Sequence, residues 1–113
     1  MPARPTADFS HFEALDIRVG RIVKVEDART KKPTYKMTID FGAEIGLKVS
    51  CGAYTSYARD ALLGQQVLAV VNFAPRKMGP EVSEVLVLGV SNAAGDTIFV
   101  TPQQPVAPGA VLF

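Results

Sequence analysis

Alternation of apolar and polar side chains predicts a chain built mainly from β-strands. The segment 35–41 places an apolar residue at every second position, which is the period of a half-buried strand. The segment 47–51 repeats this pattern, and the short turn between the two segments predicts a hairpin. The segments 66–72 and 82–90 are rich in Val and Leu and predict two further strands, and 97–101 predicts a smaller one.

The segment 17–26 predicts a strand with a bend. Ile17 and Val19 alternate with Arg18, but Ile22 lies on the same face only if the strand bends or bulges. Gly20 lies between them, so we expect the kink at this residue.

Helical spacing is confined to two short segments. The segment 54–64 has apolar residues at helical spacing and stops at Gly64, which predicts a short helix between the third and fourth strands. The N-terminal arm is predicted to form a short helix or turn that packs as a clip over a larger unit. Its apolar side chains lie three residues apart: Phe9, Phe12 and Leu15.

Three strands, a short helix and two strands indicate an all-β fold. A sheet of this length is most economically closed as a Greek-key barrel, because closure removes its free edges. The five-stranded oligonucleotide/oligosaccharide-binding (OB) barrel has this order of elements, including a helix between strands 3 and 4. We predict this barrel over residues 9–113, with N- and C-terminal extensions and a flexible segment at 1–8. An SH3-like barrel and a plain sandwich are the alternatives.

Composition excludes several classes of protein. A chain of 113 residues with 48% hydrophobic side chains is suited to one folded domain. One cysteine, Cys51, and one histidine, His11, exclude a disulfide scaffold and a zinc module, so no metal or cofactor is expected. No apolar run approaches the roughly 20 residues of a membrane-spanning helix. The N-terminus also lacks the apolar core of a secretory signal, so we expect a cytoplasmic protein without membrane insertion.

The net charge of +1 conceals an uneven distribution of charged side chains. Residues 1–17 carry a net −2 and residues 81–113 a net −3, whereas residues 18–80 carry eleven basic and five acidic side chains. A basic middle segment can present a positive face to phosphates even in a nearly neutral protein. Solvated loop charge is the alternative interpretation.

The basic residues concentrate in the two loops that line the ligand cleft of OB barrels. The loop between strands 1 and 2 contains Arg29, Lys31 and Lys32, and the loop between strands 4 and 5 contains Arg76 and Lys77. The two groups would therefore converge on one mouth of the barrel. Further basic side chains are predicted on the outward faces of strands: Arg18, Lys36 and Lys48.

Residues suited to catalysis are few. His11 lies in the N-terminal arm without a nucleophile motif, and Cys51 shares a predicted inward parity with Leu47 and Val49, which favours a buried, inert thiol. The chain has neither a phosphate-binding GxxxxGK[ST] loop nor a GxGxxG fingerprint. We therefore expect a binding protein and not an enzyme. Tyr54 and Tyr57 could stack on bases, with packing against the core as the alternative for Tyr57.

Several segments resemble a known family. FEALDIRVGRIVKVE, IDFGAEIGLKVS and VVNFAPRKMGPEVSEVLVLG resemble the structure-specific tRNA-binding domain. That domain occurs alone, appended to methionyl- and phenylalanyl-tRNA synthetases, and in endothelial monocyte-activating polypeptide II. The DFG-x-EIG-x-K run, the SEVLVLG ending and the tail VTPQQPVAPG are most similar to the CsaA branch of small, export-related bacterial chaperones.

The resemblance implies a set of ligand-binding residues. The tRNA-binding pattern of the family matches Asn72, Pro75, Arg76, Lys77 and Ser83. Lys36 is predicted, with Lys31 and Lys32, to bind the tRNA or peptide ligand. The sequence departs from synthetase-type members at 79–80 and at 85–86, where Val-Leu replaces Gly-Met. These departures are similar to CsaA and reduce the expected affinity for tRNA.

The resemblance also implies a function, and a second copy of the same chain as partner. Phe73, Pro75 and Met78 would form an apolar lip for unfolded peptide segments, or would only close the barrel end. The predicted function is a dimeric, ATP-independent chaperone for precursor polypeptides, with tRNA binding as the alternative and a structural dimer without ligand as a third possibility. The implied dimer interface comprises Phe9, Phe12, Leu15, Leu112 and Phe113, with further apolar surface from Val111.

Overall fold

Nine strands and three short helices make up the chain, and this computed structural model describes all residues 1–113. The strands are β1 (Ile17–Asp27), β2 (Tyr35–Asp40), β3 (Leu47–Gly52), β4 (Gln66–Val70), β5 (Arg76–Met78), β6 (Glu81–Ser83), β7 (Leu86–Val87), β8 (Gly89–Ser91) and β9 (Thr97–Phe99). The helices are α1 (Phe9–Glu13), α2 (Gly42–Ile45) and α3 (Arg59–Leu62). None of these helices has the length and apolar character needed to cross a membrane.

The main sheet has five antiparallel strands in the order β3-β2-β1-β4-β7. Its two edges approach each other where the N–H groups of Glu84 and Val85 donate to the carbonyl oxygen of Val49, at 2.8 and 3.3 Å. The sheet is therefore a nearly closed barrel, and α3 lies between β3 and β4. This confirms the predicted OB-like barrel.

Side chains complete the closure of the barrel. The Ser83 hydroxyl accepts from the N–H of Cys51 at 3.0 Å and donates to the carbonyl oxygen of Val85 at 3.1 Å. Glu84 Oε1 accepts from the N–H of Val49 at 3.0 Å. Residues 84–85 bond to β3 between β6 and β7, so the strand is interrupted there. The single strand predicted over 82–90 is therefore wrong. The segment contains the separate strands β6, β7 and β8.

The first half of β1, residues 17–22, carries buried side chains on both faces. Ile22 belongs to the cluster inside the barrel, whereas Ile17 and Val19 pack with Leu68 and Val70 in a second cluster. The prediction that Ile17, Val19 and Ile22 share one face is therefore wrong. In a strand, successive side chains point to opposite faces, and here each face of β1 contacts its own apolar cluster.

The C-terminal segment 109–112 covers the second cluster. The N–H of Val19 donates to the carbonyl oxygen of Ala110 at 2.9 Å, and the N–H of Gly109 donates to the carbonyl oxygen of Val19 at 2.7 Å. The N–H of Leu112 donates to the carbonyl oxygen of Ile17 at 2.8 Å. This segment therefore pairs with β1 and shields its outer apolar side chains from water.

Close packing, and not a kink, requires the glycine at position 20. A Cβ atom there would lie 2.5 Å from Ile39 Cγ2 and 2.7 Å from Phe41 Cε1. The register shift of β1 lies between Ile22 and Lys24, so the kink predicted at Gly20 is wrong. A glycine inside a strand can mark close approach of neighbouring groups as well as a bulge, and here the two features are separate.

The predicted parity of β3 is reversed, so Lys48, opposite the buried Ile39, does not share the outward face predicted for it. Cys51 lies opposite Lys36 and Ser50 lies opposite Met37, so Ser50 shares the interior face with Met37. Leu47 lies on the outer face and is 62% exposed. Cys51 is nevertheless buried because β6 packs against β3 there, which confirms the prediction of a buried thiol. Desolvation by this burial raises the pKa of the Cys51 thiol.

Candidate functional site

A cleft of about 1040 Å³ lies between the loop 28–34 and the β5–β6 hairpin. Arg29, Lys31 and Lys32 line it from the first loop, and Arg76 lines it from the hairpin. The segment predicted as an irregular loop after β4 is in fact this hairpin, in which Arg76 pairs with Ser83. Basic residues that are more than 40 positions apart in the sequence therefore share one cavity.

Apolar side chains also line the cleft. Met78, Leu86, Val87 and Leu88 contribute to it, together with residues of β3 and β8. A cavity lined by both cationic and apolar side chains can contact both charged and apolar parts of one ligand.

Tyr54 and Tyr57 contribute to packing. Tyr54 is 4% exposed and its hydroxyl donates to the carbonyl oxygen of Val87 at 3.2 Å. Desolvation raises the pKa of Tyr54 to about 12, so the phenol stays protonated at neutral pH. The Tyr57 ring lies 5.2 Å from the Phe99 ring and packs against the barrel core. This packing agrees with the alternative given for Tyr57, and burial removes the Tyr54 ring from base stacking.

Lys31 and Lys32 are exposed and make no ion pair within the chain. The loop that carries them is ordered by hydrogen bonds from the hydroxyls of Thr30 and Thr34 to the carbonyl oxygen of Lys32, at 2.7 and 3.0 Å. Their ammonium groups are therefore free to meet an external anion.

The structure separates residues that the sequence grouped together. On β5, Arg76 and Met78 line the cleft, whereas Lys77, opposite Val82, does not. Phe73 and Pro75 line a smaller pocket of about 280 Å³, to which Arg76 also contributes. The proposed apolar lip is thus divided between two cavities, with Arg76 on both.

Two residues matched to the family pattern are engaged within the chain. Asn72 donates from Nδ2 to the carbonyl oxygen of Ala14 at 2.8 Å, and its Oδ1 accepts from the N–H of Asp16 at 2.9 Å. Asn72 therefore attaches the N-terminal arm to the barrel. Ser83 closes the barrel through its buried hydroxyl, as described above. A ligand contact from either residue stays a prediction.

Arg18 does not face outward as predicted. Its side chain is 15% exposed and pairs with Asp16 at 2.7 Å and with Glu44 at 3.5 Å. Its Nη1 also lies 3.4 Å from the carbonyl oxygen of Gly109. The charge of Arg18 is used to hold the two terminal segments against the barrel.

Glu81 lies beside the cleft, in contact with Arg29, and the sequence did not point to it. It is 4% exposed, and its Oε2 accepts from the N–H of Arg29 at 2.8 Å. The carboxylate also lies 3.6 Å from Arg29 Nε and 3.6 Å from Lys36 Nζ. The hydrogen bond from the Arg29 backbone is the main cause of the lowered pKa of Glu81, with smaller contributions from the two cations.

The N-terminal arm leaves apolar side chains exposed. No residue of α1 is buried, and the Phe9 and Phe12 rings contact each other at 5.9 Å. Phe9 is 68% exposed. Because the backbone of Leu112 bonds to that of Ile17, the exposed apolar end of the chain lies beside the start of β1, where the arm joins the barrel. These two segments together present an apolar surface.

The chain contains no cluster of three or more His, Cys, Asp or Glu side chains that could hold a metal ion.

Comparison with known proteins identifies the family. Residues 17–111 match the model of the putative tRNA binding domain. The CsaA chaperone from Picrophilus torridus superposes with a TM-score of 0.91 at 38% identity, covering 96% of this chain and 100% of that one. Chaperone CsaA from Bacillus anthracis has a TM-score of 0.90 at 37% identity, with the same coverage.

The methionine--tRNA ligase of Methanococcoides burtonii is 33% identical over 104 residues, which cover 92% of this chain and 15% of the ligase. The chain thus spans about 15% of the length of such relatives. The matched family is thus described by the binding of tRNA. The resemblance described from the sequence is confirmed, and the chain belongs to the tRNA-binding domain family.

Proposed function

We propose that this protein is an ATP-independent chaperone that holds unfolded or precursor polypeptides in the cleft for export. The observation that carries the proposal is that cationic and apolar side chains line the same cavity. The proposal is supported by the two structures named as CsaA chaperones, which cover 96% of this chain. We also propose that the protein is located in the cytoplasm and that it acts by binding its client, without catalysing a reaction.

The dimensions and lining of the cleft suit a segment of polypeptide. Its volume of about 1040 Å³ is at the upper end of the range of ordinary ligand pockets, enough for several side chains. Met78 contributes a flexible thioether, which adapts to ligands of different shape. The rim cations would attract acidic segments of a client without fixing its sequence.

Replacing Met78 with Ser should weaken suppression of client aggregation several-fold, because the change removes apolar contact from the cleft. The measurement is light scattering of a chemically denatured client diluted into buffer with increasing amounts of protein. Val82→Ser is the matched control, since Val82 lies on the same hairpin and is 46% exposed but lines neither cavity. Equal activity of the Met78→Ser variant and the wild type would reject the cleft as the polypeptide site.

We propose tRNA binding in the same cleft as a second function. It is supported by the family match and by Lys31, Lys32 and Arg76, which face the cavity and have no carboxylate partner. Phosphate contacts from such side chains require no particular base sequence. An electrophoretic shift of total tRNA at two salt concentrations tests this function, and the variants that bear on it are argued in the Discussion.

We further propose that the protein is a homodimer whose interface is the apolar surface of the arm and the C-terminal segment. The supporting observation is that large apolar side chains in two adjacent segments are exposed in the single chain. They are Phe9, Phe12, Leu15, Leu112 and Phe113. Contiguous exposed apolar surface of this kind marks interaction sites in folded proteins.

Replacing Phe9 and Phe12 with Ser should shift the protein from dimer to monomer at micromolar concentration, measured by sedimentation velocity. The reason is that α1 buries no side chain within its own chain, so both rings are available to a partner. Phe73→Ser is the control, because Phe73 is 46% exposed and belongs to a different surface. A wild-type monomer, or a dimer that persists in the double variant, would contradict this interface.

A further inference from the structure

The side chain of Glu81 is a buried carboxylate on the cleft hairpin. Three donors converge on it: the Arg29 N–H at 2.8 Å, Arg29 Nε at 3.6 Å and Lys36 Nζ at 3.6 Å. A backbone N–H with two cations is the donor set that proteins use to bind anions such as phosphate. The chain therefore contains an anion-binding arrangement, and its own Glu81 occupies it.

Occupation by Glu81 reduces the positive charge available to a ligand. Arg29 lines the cleft, and Lys36 lies on the outer face of β2 opposite Cys51, which also lines it. Both cations belong to the basic middle segment from which the sequence predicts a phosphate-binding mouth. Because the carboxylate is 4% exposed, water screens its attraction to these groups less than it would at the surface.

We propose that Glu81 is a specificity-determining residue of the cleft, an internal anion that neutralises Arg29 and Lys36 and thereby limits binding of polyanions. Lys31, Lys32 and Arg76 remain as the cations that face the cavity without a carboxylate partner. The inference rests on the proposed tRNA-binding function and names a residue that limits the affinity for tRNA. The lowered pKa of Glu81 agrees with it, since the carboxylate stays ionised at neutral pH.

Replacing Glu81 with Gln tests the proposal because the amide oxygen can still accept from the Arg29 N–H while the negative charge is lost. Two freed cations should make the slope of log affinity against log salt steeper by about 1 to 2, and should tighten tRNA binding about five- to tenfold at low salt. The measurement is binding of total tRNA by fluorescence anisotropy at four salt concentrations.

Glu84→Gln is the matched control. Glu84 follows the same hairpin and its Oε1 also accepts a backbone N–H, from Val49 at 3.0 Å, but it forms no ion pair. Both variants change the net charge equally, but only Glu81→Gln frees paired cations. Only Glu81→Gln should therefore change the salt slope. Equal slopes for the two variants would overturn the proposal.

Lys36→Ala distinguishes a freed cation from a general structural effect. In the wild-type background it should change tRNA affinity less than twofold, whereas in the Glu81→Gln background it should remove about half of the gain, one of the two freed contacts. If Glu81→Gln fails to fold, as judged by circular dichroism, the proposal is decided by comparing Lys36→Ala with Arg76→Ala in the wild-type background. A loss from Lys36→Ala as large as that from Arg76→Ala would overturn the proposal.

The same titrations separate this inference from the function on which it rests. If only Glu81→Gln binds tRNA, the proposed tRNA function of the natural chain fails and the role of Glu81 stands. If the wild type binds and Glu81→Gln gains nothing, the role of Glu81 alone fails. If neither protein binds, both are wrong.

Discussion

Simultaneous replacement of Lys31, Lys32 and Arg76 with Ala should abolish most of the affinity for tRNA. Each lost phosphate contact lowers the slope of log affinity against log salt by about 0.7 to 0.9, so three contacts remove a slope of about 2 to 3. At 50 mM salt the affinity should fall by about 100-fold or more, because these cations face the cleft without an internal carboxylate partner. Anisotropy titrations over a range of salt concentrations measure both quantities.

A second triple variant controls for net charge. Arg4, Lys24 and Arg59 are exposed and lie outside the cleft, and their replacement with Ala removes the same formal charge. This variant should lose less than about half as much salt slope as the first one, since the slope follows the number of cations that contact phosphates. Equal losses for the two triple variants would mean that binding follows overall charge and that the cleft has no special part in it.

Gly20→Val should destabilise the fold by about 3 kcal/mol or more, which corresponds to a fall of at least about 10 °C in Tm. A Cβ at this position would lie 2.5 Å from Ile39 Cγ2 and within 2.8 Å of two Phe41 ring atoms, and both of these side chains are fully buried. The core cannot yield easily because neighbouring side chains hold both groups in place. Urea unfolding followed by circular dichroism measures the free energy of unfolding.

Whether Gly20→Val lowers or raises the free energy of unfolding distinguishes a crowded strand position from an open one. Val normally favours a strand over Gly, so a strand position without the close contact would be stabilised by the same change. Gly64→Ala is a comparison for backbone strain alone, since Gly64 has φ of 83° and a Cβ added there would meet no heavy atom within 4 Å. It should cost about 1 kcal/mol. A Gly20→Val protein as stable as Gly64→Ala would show that packing in the barrel is looser than described.

The positions of β1 to β4 and the fold class were predictable because period-2 alternation is a local property of the sequence. The β2–β3 hairpin, the helix before β4 and the barrel order follow from it. Alternation alone does not say which face is inside. In β3 the outer face carries Leu47 and Cys51, and Cys51 is covered by β6 from more than 30 residues away. The apolar side chains of β1 divide between two clusters for the same reason, since the C-terminal segment covers the outer one.

The sequence predicted where the cleft lies more completely than it predicted which residues surround it and how they pair. Loop charges at 29–32 and at Arg76 point to one cavity because the OB order of strands places their loops at the same end. Their partners could not be predicted, because ion pairs join residues far apart in sequence. Glu81 reads as part of an acidic end of the chain, yet it neutralises Lys36 across 45 positions. Arg18 likewise reads as an outward cation and is paired with Asp16 and Glu44.

The adjacent residues Arg76 and Lys77 provide the most direct test of the cleft as the binding surface. They differ in one structural respect: Arg76 lines the cleft and Lys77 does not. The decisive measurement is the salt dependence of tRNA binding by the Arg76→Ala and Lys77→Ala single variants. We expect Arg76→Ala to lower the salt slope by about 1 and Lys77→Ala to leave it almost unchanged. An equal or larger loss from Lys77→Ala would place the bound phosphates outside the cleft.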